Sequence, residues 1–202
     1  MIKVRTKPAR CTVLSLLCIA AALLNWYFGR FVFNFLGLPL FVNTIFTAAI
    51  TFYAGIIPGL AVILINRIFR IVMFGDITFF VLVSIAEVFI IGLLRPRTEI
   101  QWKNLHDRQA FAEMISVFAS LMLLYVVTSV SASVLGGLIN SYLTTRSRLN
   151  FSASDIFRGG IFDNGLPQLA KDIFSRFPVN LIDRLIVIFG GYFISRWLRK
   201  LA

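Results

Sequence analysis

The stretch from Pro39 to Gly75, PLFVNTIFTAAITFYAGIIPGLAVILINRIFRIVMFG, constrains this chain more than any other. It is almost wholly apolar, and it is too long for one bilayer crossing, which takes about 20 apolar residues. Near its middle lies Gly55-Ile56-Ile57-Pro58-Gly59. Proline removes a backbone donor and crowds the preceding turn, while glycine lets the chain reverse. The sequence therefore predicts two helices, at about 40–57 and 58–74, antiparallel and in contact across a very short turn. A single kinked helix would overshoot the membrane by many residues.

The rest of the chain has the same character. Of its 202 residues 58% are hydrophobic and 21 are Phe, against about 45–50% apolar residues in an ordinary soluble domain. The excess sits in long runs, without linker, low-complexity tract or repeat, so one integral membrane domain over 1–202 is expected. A net charge of +11 raises the question of nucleic acid. The basic residues answer it by flanking apolar runs: Lys3, Arg5, Lys7 and Arg10, then Arg95, Arg97, Lys103 and Arg108, then Arg196, Arg199 and Lys200. Membrane proteins mark their cytoplasmic side and meet anionic lipid in this way, so membrane lipid is an expected partner and nucleic acid is not.

Six transmembrane helices are expected, at about 11–28, 40–57, 58–74, 77–94, 110–143 and 179–198. Residues 29–39 read as an aromatic loop, and Gly136-Gly137 as a kink or break in the fifth helix. On the first helix Cys11, Ser15, Cys18 and Ala22 form one stripe of small residues, which suits close approach by a helix of this chain or of a partner. The two cysteines are too far apart for a disulfide. In the long polar segment 144–178, Leu166, Leu169, Ala170, Ile173 and Phe177 share a helical face. That pattern predicts an amphipathic helix, lying in the interface or capping a cavity of the protein itself. With both termini in the cytoplasm of a cell-membrane protein, eleven basic residues lie inside, and the turn at 55–59 lies there too.

Enzyme signatures are missing: there is no phosphate-binding loop with lysine, no GxSxG, no HExxH and no CxxC. No enzymatic activity, cofactor or metal is expected. His106, beside Asp107 and Arg108, reads as a solvated loop residue. Glu87 and Glu113 are ionisable groups in apolar helices, where a charge is costly unless paired or wetted. Polar residues gather instead at helix ends expected to face outside: Asn66 and Arg67, Asp76, Asn140, and Asn180, Asp183 and Arg184. Small-ligand sites combine apolar walls with a few fixed polar groups. Phe79 and Phe80 would supply stacking walls. The same charges also read as interhelical ion pairs without a ligand.

Taken together these features resemble the substrate-binding (S) components of energy-coupling factor transporters, which take up vitamins. The resemblance rests on a chain of 202 residues with six expected helices, the hairpin LFVNTIFTAAITFYAGIIPGLAVILIN, the small-residue stripe, the long polar segment, and the last helix FPVNLIDRLIVIFGGYFISRWLRK. It implies an all-α, S-component-like bundle that binds a vitamin or related micronutrient from outside. The pocket would lie near the outer ends of helices four to six, with Asn66, Arg67, Asp76, Phe79, Asn140, Asn180, Asp183 and Arg184 as candidate ligands. It also implies docking onto a transmembrane coupling protein that carries two cytoplasmic ATPases. The family's docking motif on helix one is Ala-x-x-x-Ala; here the matching stripe reads Ser15, Cys18, Ala22. A membrane sensor or input module, or a scaffold module of a signalling or cell-shape protein, would share this topology.

Overall fold

The computed structural model describes residues 7–36, 42–75, 79–96, 108–143 and 167–201. The described residues form seven helices and no strand: α1 (Lys7–Leu36), α2 (Ile45–Ala54), α3 (Ile56–Phe74), α4 (Val81–Leu94), α5 (Arg108–Leu143), α6 (Gln168–Phe174) and α7 (Phe177–Leu201). Four segments are long and apolar enough to cross a membrane: Cys11–Val32, Ile56–Phe74, Phe111–Tyr142 and Gln168–Leu201. They point to a membrane protein. Their outward faces agree, since Leu16, Leu64, Val72 and Leu123 are all exposed, as lipid-facing side chains are.

The expected six spans reduce to four among the described residues. α2 has 10 residues and α4 has 14, which at 1.5 Å per residue is about 15 and 21 Å, against a hydrocarbon core of about 30 Å. The expected helix at 40–57 begins at Ile45, and the one at 77–94 begins at Val81. α2 has no need to face lipid. It is apolar all round, and Ile45 and Thr47 to Phe52 are all buried, as expected of an enclosed helix. It packs on α1, α3, α4 and α7 and is the hub of the bundle.

The hairpin forms as the sequence predicts, but its turn is a single residue. Gly55 carries φ +100°, a backbone state that side-chain-bearing residues rarely adopt. Pro58 falls in the first turn of α3, where no helical acceptor awaits its missing N–H. Glycines set the close crossings around α2. A Cβ on Gly59 would lie 2.2 Å from Thr51 Oγ1, and one on Gly191 of α7 would lie 2.8 Å from Ala48 Cβ. Apolar helices associate in lipid by such backbone approach.

Three sequence expectations change. Residues 29–36 are helical, not loop, and extend α1 to Leu36. Gly29 is a contact residue, its missing Cβ leaving room for Asn43 at 3.0 Å, and Val32 joins the core. Gly136-Gly137 does not break α5, which runs through both. A Cβ on Gly137 would stand 2.9 Å from Ile173 Cα, so the pair seats α6 against α5. The segment expected to be an amphipathic helix does form a helix, but a short one whose buried side is not the expected apolar face: tucked against α5, it buries Asp172, with Ser175 just after it, while Phe174 and Phe177 are exposed and Leu166 lies outside the described residues. It ends after Phe174 because Pro178 has no N–H for the Phe174 carbonyl.

The main core joins Val32, Ile45, Ala48 and Phe52 to Ile91, Leu121, Leu124, Val187 and Ile188. At one end of it, Arg199 Nη2 donates to the Phe52 carbonyl at 2.8 Å. That places a cation on the carbonyl end of α2, where the helix dipole is negative.

Candidate functional site

At the other end of α2 the helix begins without a side-chain cap of its own. Its first turn is completed from neighbouring helices. Asn25 of α1, fully buried, accepts the Phe46 N–H at 3.0 Å and donates to Thr47 Oγ1 at 2.8 Å. Arg184 of α7 donates to Thr44 Oγ1 at 3.2 Å. Arg184 also pairs with Glu87 of α4. Both partners are buried, at 4% and 5% exposure, so each meets the cost of a desolvated charge with the other. The pairing is incomplete: among the described residues Glu87 Oε1 and Arg184 Nε have no hydrogen-bond partner.

Thr44, Thr47 and Arg184 of this set border a cavity of ≈ 230 Å³. Helical spacing explains which side chains reach it. Ile63, Asn66, Arg67 and Arg70 of α3 fall at i, i+3, i+4 and i+7, and Asn180 and Arg184 of α7 at i and i+4. Phe80, Ser84, Ala132 and Gly136 come from α4 and α5, and Arg176 from the turn before α7. The floor, made by Thr44, Thr47, Asn180 and Arg184, is buried; Arg67, Arg70, Phe80 and Arg176 are partly exposed at the rim. Asn180 is held by its Nδ2 donating to Ser133 Oγ at 3.0 Å. The Arg176 guanidinium lies over the Phe80 ring, 5.1 Å from its centroid, a cation–π geometry that orients it. Gly136 leaves space for that side chain.

Four of the expected site residues line the cavity: Asn66, Arg67, Asn180 and Arg184. Asn66 also donates to the Ala22 carbonyl at 3.5 Å. Asn140 is turned away; its Nδ2 donates to Asp172 Oδ1 at 3.1 Å and secures α6. Asp183 is fully buried outside the lining, and Phe79 is half exposed while its neighbour Phe80 forms the wall. Asp76 and His106 lie outside the described residues. Glu113 is exposed near the start of α5, far along the helix from Ala132 and Gly136. Of the small-residue stripe, Cys18 and Ala22 pack inside the protein against Ile50 and Val62, whereas Ser15 is exposed. Sequence reasoning missed Arg70 and Arg176. Arg70 follows Arg67 by three residues on the same stripe, a signal that was available; Arg176 lies off the apolar face of the stretch expected to form an amphipathic helix in the interface or over a cavity, and was not singled out.

Several hydroxyls of α5 donate within their own helix. Thr128 and Ser133 donate to carbonyls four residues back, at 2.7 and 2.8 Å, as hydroxyls in apolar helices commonly do. Among the described residues no cluster of His, Cys, Asp or Glu has the makings of a metal site. Chemically the cavity offers amides, hydroxyls and guanidinium groups, which bind and orient. Comparison with family models, with curated proteins and with solved structures gives no match for this chain.

Proposed function

We propose that this chain is a membrane-embedded binding subunit for uptake of a vitamin or related micronutrient. In this reading α2 and α4 complete a six-helix, S-component-like bundle. A transmembrane coupling protein driven by separate cytoplasmic ATPases would move the solute, since the chain carries no nucleotide-binding motif of its own. The carrying observation is the cavity, where α2, α3, α4 and α7 converge polar side chains on one partly enclosed space that α5 borders with Ala132 and Gly136.

The charge distribution supports the orientation. Arg199 and Lys200 lie at the end of the bundle opposite the cavity, where Arg199 meets the end of α2. The positive-inside rule then makes that end cytoplasmic and turns the cavity outward. At the outer end Trp26 packs on Phe69 and Phe74, with Arg30 over Trp26 at 5.2 Å, as suits an interfacial aromatic cluster.

A thermal-shift screen of the purified protein against vitamins and their precursors tests this function. A true ligand at about 100 times its Kd adds about 2.7 kcal/mol to stability, a shift of several degrees for a chain of this size. Absence of a shift across the panel would count against the proposal.

A further inference from the structure

Resting on the reading of the cavity as a ligand site, we infer that its ligand is a small organic anion, bound by a carboxylate or phosphate group. The described lining residues include four arginines, Arg67, Arg70, Arg176 and Arg184, and no aspartate or glutamate. Guanidinium groups present planar forks of donors that match carboxylate and phosphate oxygens. Glu87 meets the charge of Arg184, and Arg67, Arg70 and Arg176 stand at the rim. The remaining lining amides, Asn43, Asn66 and Asn180, can serve polar groups elsewhere on the ligand.

Size narrows the class. The ≈ 230 Å³ cavity is below the roughly 300–1,000 Å³ of pockets that enclose drug-sized molecules. A single-ring acid or a short-chain acid or phosphate fits within it. The Phe80 ring beside Arg176 gives such a ligand an apolar face next to its charge.

An anionic lipid headgroup shares this chemistry, so the test separates the two sources. The full chain is placed in phosphatidylcholine nanodiscs at fixed ionic strength. Its melting temperature is followed against benzoate and inorganic phosphate, with benzamide as the neutral control. A parallel sample contains phosphatidylglycerol in the disc and no soluble anion. The expected result is a saturable rise with benzoate or phosphate and none with benzamide. In Arg67→Gln and Arg176→Gln, each checked to melt cooperatively without probe, the apparent Kd should weaken at least tenfold. If those two variants bind as the wild type does, the assignment of the arginines is overturned. Stabilisation by phosphatidylglycerol alone would move the site to lipid and overturn the inference of a soluble ligand. No shift with either anion overturns it outright. If a neutral or cationic vitamin then binds in the screen, the uptake function survives and only the anion inference falls; if nothing binds, both fall.

Discussion

Glu87 on α4 and Arg184 on α7 form a buried ion pair across the bundle, 97 residues apart in sequence, with Thr44, just before α2, as a third partner of the guanidinium. The pair ties three helices at the floor of the cavity. Removing one member strands the other charge, which in buried pairs costs about 3–5 kcal/mol. Glu87→Leu and Arg184→Met are each expected to lower the melting temperature in detergent sharply. The double substitution should recover most of the loss, because an apolar pair of similar size needs no desolvation. Strictly additive losses would mean that the two side chains do not act as a pair.

Gly137 is expected to be intolerant of a side chain for reasons of space, and Gly75 for reasons of backbone alone. A Cβ at 137 meets Ile173 at 2.5 Å and pushes α6 off α5, whereas one at Gly75, with φ +63°, meets nothing within 4 Å. Gly137→Ala should cost about 1–3 kcal/mol as overpacking does. It should also weaken ligand binding, because Arg176 follows α6 directly. Gly75→Ala should cost about 1 kcal/mol or a little more and leave binding intact. Thermal melts paired with the vitamin screen distinguish the two; equal effects on binding would contradict the role given to α6.

How far the fold was legible follows from these same residues. The Gly55–Pro58 hairpin could be read because it is local: apolar length and two turn-forming residues suffice. Glu87 and Arg184 each stood out as charges in apolar helices, but no periodicity joins residues so far apart in the chain. Gly29 and Gly136-Gly137 misled for one reason. A glycine that ends a helix and a glycine that admits a neighbour look alike until the neighbour is known, here Asn43 and Ile173. The shortness of α2 was hidden too. Its apolar run matches a membrane span, while its burial on all sides depends on α7, more than 120 residues further on.

Orientation has its own test. In a variant without native thiols (Cys11→Ser, Cys18→Ala), Ser84→Cys puts a thiol in the cavity wall and Lys200→Cys puts one at the exposed C-terminal end. A membrane-impermeant maleimide added to intact cells should label Ser84→Cys and spare Lys200→Cys until the cells are permeabilised. The reverse pattern would turn the cavity to the cytoplasm.

The most direct measurement is mass spectrometry of the small molecules released when the purified protein is denatured, compared with a cavity-filling variant. Ala132 is buried and lines the cavity, so Ala132→Leu occupies space that a ligand would need. The wild type is expected to release a small molecule in near-stoichiometric amount, and Ala132→Leu, folded with a comparable melting temperature, little or none. An empty wild-type extract, or equal amounts from both proteins, would contradict the cavity as a binding site.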